Sequence, residues 1–171
     1  METAATVGSV RFDHPDAADA AQMWRLVQAS EHLDCNSPYF YLLWCRDFAE
    51  SSVAAHDDAG RLLGFAAGFR RPRAPGTLFI WQVAVHPEHR GRGLGSQMLD
   101  RLIERGGART TALEASVTPG NAASLALFGS LARRRRSALR RCALFGADRF
   151  PDRHEAEDLL RIDLTPPGDV P

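Results

Sequence analysis

The sequence predicts an α/β (α+β) fold in which a mixed sheet is flanked by helices, and three observations carry this prediction. Segments with apolar residues at helical spacing alternate with segments in which apolar residues recur at every second position, as in strands. Residues 77–85 (TLFIWQVAV) are almost continuously apolar, which is typical of a strand buried on both faces. A chain of 171 residues is long enough for one substantial core. Strands and helices in this order therefore favour one layered domain.

The N-terminal third predicts two helices after a short apolar strand at 10–12. Pro15 and Asp16 are expected to open the first helix. Ser37 and Pro38 are expected to open the second, because a hydroxyl N-cap followed by proline is typical of a first turn. The residues expected on the inner faces are Ala20, Met23, Trp24 and Val27 in the first helix and Phe40, Leu43, Trp44 and Phe48 in the second.

The rest of the chain predicts a β-hairpin, followed by further strands and two further helices. Residues 52–56 and 62–69 predict a hairpin that is joined by the turn at 57–60 (DDAG). The other expected elements are a strand at 77–85, a helix at 96–105, a strand at 111–117, a helix that begins at Asn121, and strands near 142–145 and at 159–164.

Composition excludes several classes of protein. The chain is 44% hydrophobic and 25% charged, which excludes a disordered or fibrous protein. Its 21 basic and 21 acidic residues balance, whereas a protein that binds nucleic acid or an anionic membrane usually has a basic excess. Every basic residue is arginine, so a Schiff base or a lysine nucleophile is excluded. The run 133–136, with Arg140 and Arg141, is interpreted as the solvated end of a helix rather than as a nucleic-acid site, because the overall charge is balanced. Salt bridges across a subunit interface and a contact with a phosphate group are left as alternatives.

Cysteine usage and hydropathy indicate the compartment. The three cysteines form no CxxC pair, so we expect neither a disulfide framework nor a metal site. The first ten residues lack the pattern of a secretory signal, and no apolar run approaches the length of a membrane span. We therefore expect a cytoplasmic protein with a flexible N-terminal tail at 1–9, a single domain at 10–164 and a flexible C-terminal tail at 165–171.

One segment, residues 83–95 (VAVHPEHRGRGLG), carries the chemistry. A buried strand ends there, a glycine-rich loop follows and a helix begins at once. Backbone N–H groups converge in such a loop, and the helix dipole adds positive character. Arg90 and Arg92 can add charge-assisted hydrogen bonds. The spacing fits neither a P-loop, which needs lysine, nor the dinucleotide-binding fingerprint, so a different pyrophosphate is expected as the ligand.

The loop resembles a known family. Arg90-x-x-Gly93-x-Gly95 matches the R/Q-x-x-G-x-G/A loop of the GNAT N-acetyltransferases, which binds the pyrophosphate of acetyl-CoA. Four stretches narrow the resemblance to the branch that acetylates L-2,4-diaminobutyrate in ectoine biosynthesis. They are 33–43 (LDCNSPYFYLL), 78–85 (LFIWQVAV), 118–124 (TPGNAAS) and 154–157 (HEAE).

The resemblance extends over residues 10–164 and implies the fold and the reaction. It implies a GNAT fold, with a central mixed, mostly antiparallel twisted sheet of about seven strands and about four helices. It also implies a homodimer without a metal, in which acetyl passes from acetyl-CoA to the N4 amine of diaminobutyrate. An acetyltransferase for another small amine or diamino acid is the alternative, and no nucleic-acid or membrane partner is expected.

The resemblance assigns a set of cofactor-binding residues: Val83, Val85, Arg90, Gly91, Arg92, Gly93, Gly95 and Asn121. The strand backbone is expected to bind the pantetheine arm, with an N–H near Val83 as the oxyanion donor. The ordinary alternative for Asn121 is that it only caps its helix. Many relatives have a tyrosine that protonates the leaving thiolate on this helix, but here Phe128 occupies that region.

The ammonium groups of the substrate require acidic or aromatic partners. The residues expected to bind it are Asp34, Tyr39, Tyr41, Trp81, His154 and Glu155. Their ordinary alternatives are a loop or cap for Asp34, packing for the aromatic residues and a surface position for His154. Glu155 is favoured for binding the amine. The role of general base is left between Glu155 and Glu114, since a mid-strand carboxylate needs a cleft or an arginine partner.

Overall fold

The computed structural model describes residues 9–30 and 33–164, which contain seven strands and four α-helices. The strands are β1 (Arg11–Asp13), β2 (Val53–His56), β3 (Leu62–Arg71), β4 (Ala74–Val85), β5 (Ala112–Val117), β6 (Leu139–Phe145) and β7 (Glu157–Asp163). The helices are α1 (Ala20–Gln28), α2 (Pro38–Asp47), α3 (Leu94–Gly106) and α4 (Ala122–Arg134). The predicted fold class and element order are confirmed. Apart from Ser9, the predicted tails lie outside the described residues.

The strands form one sheet in the order β1-β2-β3-β4-β5-β7-β6. All neighbours pair antiparallel except β4 and β5, which are parallel. A parallel pair needs a crossover, and α3 supplies it between these two strands. Because β4 lies in the middle of the sheet, the loop that follows it lies beside the sheet's centre.

β4 contains a bulge that shapes the site. Ala67 of β3 pairs with Gln82 and Gly68 pairs with Ile80, so Trp81 is the extra residue on β4. Pairing with β5 ends at Ile80, opposite Ala115. In the described structure, residues 81–85 therefore have β3 on one side and no strand on the other. The two central strands open into a gap toward the start of α3.

Two hydrophobic clusters cover the two faces of the sheet. Met98, Leu99 and Leu131 of α3 and α4 belong to the first cluster, whereas Met23 and Tyr41 of α1 and α2 belong to the second. Both helix pairs thus bury one apolar stripe against the sheet. The second pair lies beside β2, β3 and β4, next to the open end of the gap.

The inner face of α2 differs from the prediction. The helix begins as expected, with Ser37 Oγ accepting a hydrogen bond of 3.3 Å from the N–H of Phe40. Tyr41, Trp44 and Cys45 are buried, whereas Phe48 is 40% exposed. The i, i+3, i+4 stripe is therefore rotated by one residue from the predicted one.

The first helix also begins later than predicted, at Ala20. Asp16 and Asp19 form a turn before it, since Asp19 Oδ2 accepts a hydrogen bond of 3.0 Å from the N–H of Asp16. Acidic residues with such local hydrogen bonds favour turns over helix interiors. Pro15 and Asp16 thus precede the helix rather than open it.

Candidate active site

The loop after β4 presents unpaired N–H groups. A short 3-10 turn (Pro87–His89) follows the strand, and Arg90 Nε donates to the carbonyl oxygen of Val85 at 3.2 Å. Gly91 and Gly93 have φ of 73° and 77°, a left-handed conformation that favours glycine. Gly93 is also the N-cap of α3 and provides no side-chain cap. The first N–H groups of α3 are therefore available to an anion.

The space in front of this loop is open. A Cβ atom added to Gly91 would meet nothing within 4 Å, and one added to Gly93 would meet only Gln97 Nε2, at 3.9 Å. A pyrophosphate can thus approach the backbone closely. The residues present fit the phosphate end of a CoA ester.

A cavity of about 370 Å³ connects the loop to the gap between β4 and β5. Seven of the eight predicted cofactor-binding residues line it: Val83, Val85, Arg90, Gly91, Gly93, Gly95 and Asn121. The prediction for Arg92 differs from the structure, because this exposed side chain lies outside the lining. Apolar residues of the cavity wall that sequence reasoning missed include Leu26, Leu33 and Leu127.

Asn121 caps α4 at the wall of the cavity. Its Oδ1 accepts a hydrogen bond of 3.0 Å from the N–H of Ser124, so it caps α4. The same residue lines the cavity. Phe128, nearly two turns into the same helix, is only 3% exposed and has no ionisable proton.

An acidic cluster lies where the loop before α2 meets the start of β7. His154 Nε2 lies 2.9 Å from Asp34 Oδ2 and 3.7 Å from Glu157 Oε1. Asp34 and His154 are 120 positions apart in the chain. The structure thus brings together two of the residues that were predicted to bind the substrate.

Glu157, not Glu155, is the glutamate that faces His154. The side chain of Glu155 is exposed, and its contact with His154 is made by its backbone oxygen, at 2.7 Å from Nδ1. The Glu157 side chain is 14% exposed, and its Oε2 is buried without a hydrogen-bond partner among the described residues. Burial raises the pKa of the Glu157 carboxyl, while a hydrogen bond from Ser116 opposes the shift. The strand alternation of β7 was the available signal for this residue.

Tyr41 does not reach the cleft, contrary to the prediction. Its side chain is fully buried, and its hydroxyl donates to Gln82 Oε1 at 3.0 Å. Gln82 Nε2 in turn donates to the backbone oxygen of Asp34 at 2.7 Å. Burial raises the pKa of the Tyr41 hydroxyl, which therefore stays a donor. Tyr41 and Gln82 position the Asp34 loop, and the bulge of β4 explains why Gln82 faces this side.

The other two aromatic candidates are solvent-accessible. Tyr39 is 67% exposed. Trp81 is 45% exposed, and its ring centroid lies 6.1 Å from those of Phe40 and Trp44. As the bulged residue of β4, Trp81 projects beside the end of the β4–β5 pairing. This position suits an aromatic wall for an ammonium group.

Glu114 is an ion-pair centre and does not fit the base role considered for it. It is 3% exposed, and its two carboxylate oxygens lie 2.8 Å from Arg71 Nη1 and 2.7 Å from Arg161 Nη1. Both oxygens are thus occupied by charge-assisted hydrogen bonds. A mid-strand carboxylate requires an arginine partner, and Glu114 has two. These ion pairs explain its burial without a catalytic role.

We expect Glu114→Ala to lower the free energy of unfolding by about 2 kcal/mol, because removing the anion leaves Arg71 without its partner and Arg161 with Asp163 alone. The effect stays moderate since both guanidinium groups keep contact with water. Urea denaturation measures it, with Glu104→Ala in the exposed Arg101–Glu104 pair as the matched control. A loss of turnover at unchanged stability and acetyl-CoA affinity would instead restore the base role.

Residues 9–30 and 33–164 contain neither a candidate metal site nor a candidate membrane span. In that part of the chain, no group of three histidine, cysteine, aspartate or glutamate side chains is placed to hold a metal ion. No helix there is long and apolar enough to cross a bilayer.

Comparison with known proteins agrees with this geometry. Residues 17–132 match the model of the acetyltransferase (GNAT) family. The chain is 47% identical to an L-2,4-diaminobutyric acid acetyltransferase of Nocardia farcinica over 91% of this chain and 81% of the relative. It is 46% identical to one of Streptomyces coelicolor over 92% and 95%.

A solved structure extends the likeness to the fold. Diaminobutyrate acetyltransferase EctA from Paenibacillus lautus, in complex with L-2,4-diaminobutyric acid and coenzyme A, superposes with a TM-score of 0.85 at 36% identity, covering 91% of this chain and 95% of that one. The anion-binding loop, the split central strands and these relatives together show that the chain belongs to the GNAT acetyltransferases, within the family of L-2,4-diaminobutyric acid acetyltransferases.

Proposed function

We propose that the protein transfers acetyl from acetyl-CoA to the N4 amine of L-2,4-diaminobutyrate, giving the N4-acetyl product for ectoine biosynthesis. The observation that carries the proposal is the buried Oε2 of Glu157, which lacks a hydrogen-bond donor among the described residues. A buried carboxylate oxygen is costly without a donor, so this position favours a ligand that brings N–H donors, as an ammonium group does. The relatives named above support diaminobutyrate as that ligand.

The charge of the site matches a small diamino acid. Asp34 and Glu157 place two carboxyl groups beside one imidazole. Substrate ammonium groups can bind the carboxylates, while the cavity along the end of β4 can hold the cofactor arm. A ternary complex requires that both substrates are bound together in this way.

The residues divide the chemistry among them. Acetyl-CoA supplies the activated thioester. Glu157, whose raised pKa brings it nearer to neutrality, accepts the proton that the substrate ammonium must lose. The freed amine forms the new C–N bond as the C–S bond breaks, and a backbone N–H near Val83, on the unpaired side of β4, donates to the carbonyl oxygen as it gains charge.

A homodimer and a cytoplasmic location complete the proposal. β6 lies at the edge of the sheet, and Phe145 at its end is 51% exposed. An uncovered edge with an exposed aromatic residue favours pairing with a second copy. Light scattering of the purified protein tests the assembly, and a monomer at micromolar concentration contradicts it. No nucleic-acid partner is proposed, in keeping with the balanced charge.

The test is thiol release from acetyl-CoA with a panel of amines, with the acetylated nitrogen identified by NMR. The panel contains 2,4-diaminobutyrate, 2,3-diaminopropionate, ornithine, lysine and an aminoglycoside. We expect selective release with diaminobutyrate and acetyl on N4. Preference for another amine would keep the reaction but replace the substrate. Acetyl-CoA binding without turnover of any of them would contradict a small-amine acetyltransferase.

A further inference from the structure

The hydrogen bonds of His154 determine its protonation state. Its Nδ1 lies 2.7 Å from the backbone oxygen of Glu155, and its Nε2 lies 2.9 Å from Asp34 Oδ2. A carbonyl oxygen can only accept a hydrogen bond, and the carboxylate oxygen of the 80% exposed Asp34 accepts one as well. Both ring nitrogens must therefore donate. In this arrangement His154 is an imidazolium.

The surroundings of the ring support a cation. Besides Asp34, the carboxyl of Glu157 lies 3.7 Å from Nε2, and the carboxylate of Asp152 lies near the residue, since its Oδ1 accepts from the backbone N–H of His154 at 3.3 Å. The ring of Phe150 covers one face, with centroids 4.5 Å apart. The carbonyl of Glu155, followed by Asp34, raises the pKa of His154 above its ordinary value of 6.5.

The imidazolium occupies the carboxyl groups that the substrate needs. We propose that His154 is an internal cation that takes the place of a substrate ammonium between Asp34 and Glu157, and that binding of the diamino acid expels its Nε2 proton to solvent. The proposal rests on diaminobutyrate, or another diamino acid, as the acceptor. A substrate ammonium beside the imidazolium is repelled by it, and an imidazolium gives up its proton to water more readily than an aliphatic ammonium does.

The raised pKa of His154 determines how the His154–Asp34 contact and the substrate affinity change with pH. A raised pKa means that the His154–Asp34 contact is fully present below about pH 6.5 and is lost as pH rises through the higher value. Because protonation of His154 and binding of the diamino acid oppose each other, the affinity for the diamino acid rises as pH rises over the same interval. The affinity for CoA does not follow this curve, because His154 lies outside the lining of the cofactor cavity.

The first arm of the test uses the free protein and does not depend on the substrate. Imidazole ¹⁵N and ¹H shifts are recorded against pH, and the signal of His154 is identified by its absence in His154→Asn. We expect imidazolium shifts on both nitrogens at pH 6.5 and a titration above 6.5. A neutral ring at that pH would overturn the proposal, whatever the enzyme acetylates.

The second arm saturates the protein with CoA and 2,4-diaminobutyrate. We expect the proton affinity of His154 to fall about tenfold or more when diaminobutyrate binds. The affinity for diaminobutyrate should rise by the same factor between about pH 6 and 8.5, after any rise that His154→Asn also shows has been subtracted. His14→Asn is the matched control, since His14 also bonds a backbone carbonyl but contacts no carboxylate in the described structure. An unchanged titration despite measurable acetyl transfer to diaminobutyrate would overturn the proposal while leaving the proposed function intact.

Discussion

Gly93→Glu is expected to abolish acetyl-CoA binding, with an affinity loss of at least about 100-fold. Gly93 is the N-cap of α3, so the new carboxylate would lie where the free N–H groups converge. It would satisfy these donors itself and repel the pyrophosphate. Calorimetric titration with CoA measures the loss. Binding within a few fold of the parent would contradict the assignment of the loop.

Backbone strain has to be separated from this local effect, and the chain offers a close control. Gly60, in the β2–β3 turn, has φ of 79°, nearly the same as the 77° of Gly93, and a Cβ there would meet nothing within 4 Å. Gly60→Glu therefore introduces the same charge and the same left-handed strain at a position outside the cavity lining. We expect both variants to lose similar thermal stability and only Gly93→Glu to lose CoA.

Local sequence was sufficient for most of the fold. Ser37 and Pro38 specify the start of α2 through a cap that involves only neighbouring residues, and the turn at 57–60 specifies the β2–β3 hairpin in the same way. The bulge at Trp81 was not predicted. It depends on how β3 aligns with β4, and a continuous apolar run contains no information about that register.

The anion-binding loop and the acidic cluster differ in how far apart their residues lie in the sequence. The anion-binding loop is contiguous, so the glycines at 91 and 93 could be recognised and placed from the sequence. The acidic cluster joins residues 120 positions apart, and the contacts within it depend on which way each side chain faces. Tyr41 was therefore misplaced by the rotation of α2, and Glu157 was missed in favour of its exposed neighbour two positions earlier.

Glu157→Gln is expected to lower kcat by about 100-fold or more at unchanged affinity for acetyl-CoA. The amide keeps the shape of the side chain but cannot accept the substrate's proton, and a positioned general base contributes roughly 10² to 10⁴ in rate. The NH₂ group would also face the substrate ammonium with a donor in place of an acceptor. Steady-state kinetics with diaminobutyrate measure kcat, and CoA titration measures the integrity of the cofactor site.

Glu155→Gln removes the same charge two residues away, on a side chain that is exposed. We expect it to keep kcat within about threefold, because surface charges of this kind contribute little. The parent should lose kcat as pH falls through the raised pKa of Glu157, since only the carboxylate accepts a proton, and Glu157→Gln should lack this acidic limb. A large loss in Glu155→Gln with normal turnover in Glu157→Gln would return the base role to Glu155. Equal losses in both, together with weakened CoA binding, would indicate that this loop supports the fold rather than the proton transfer.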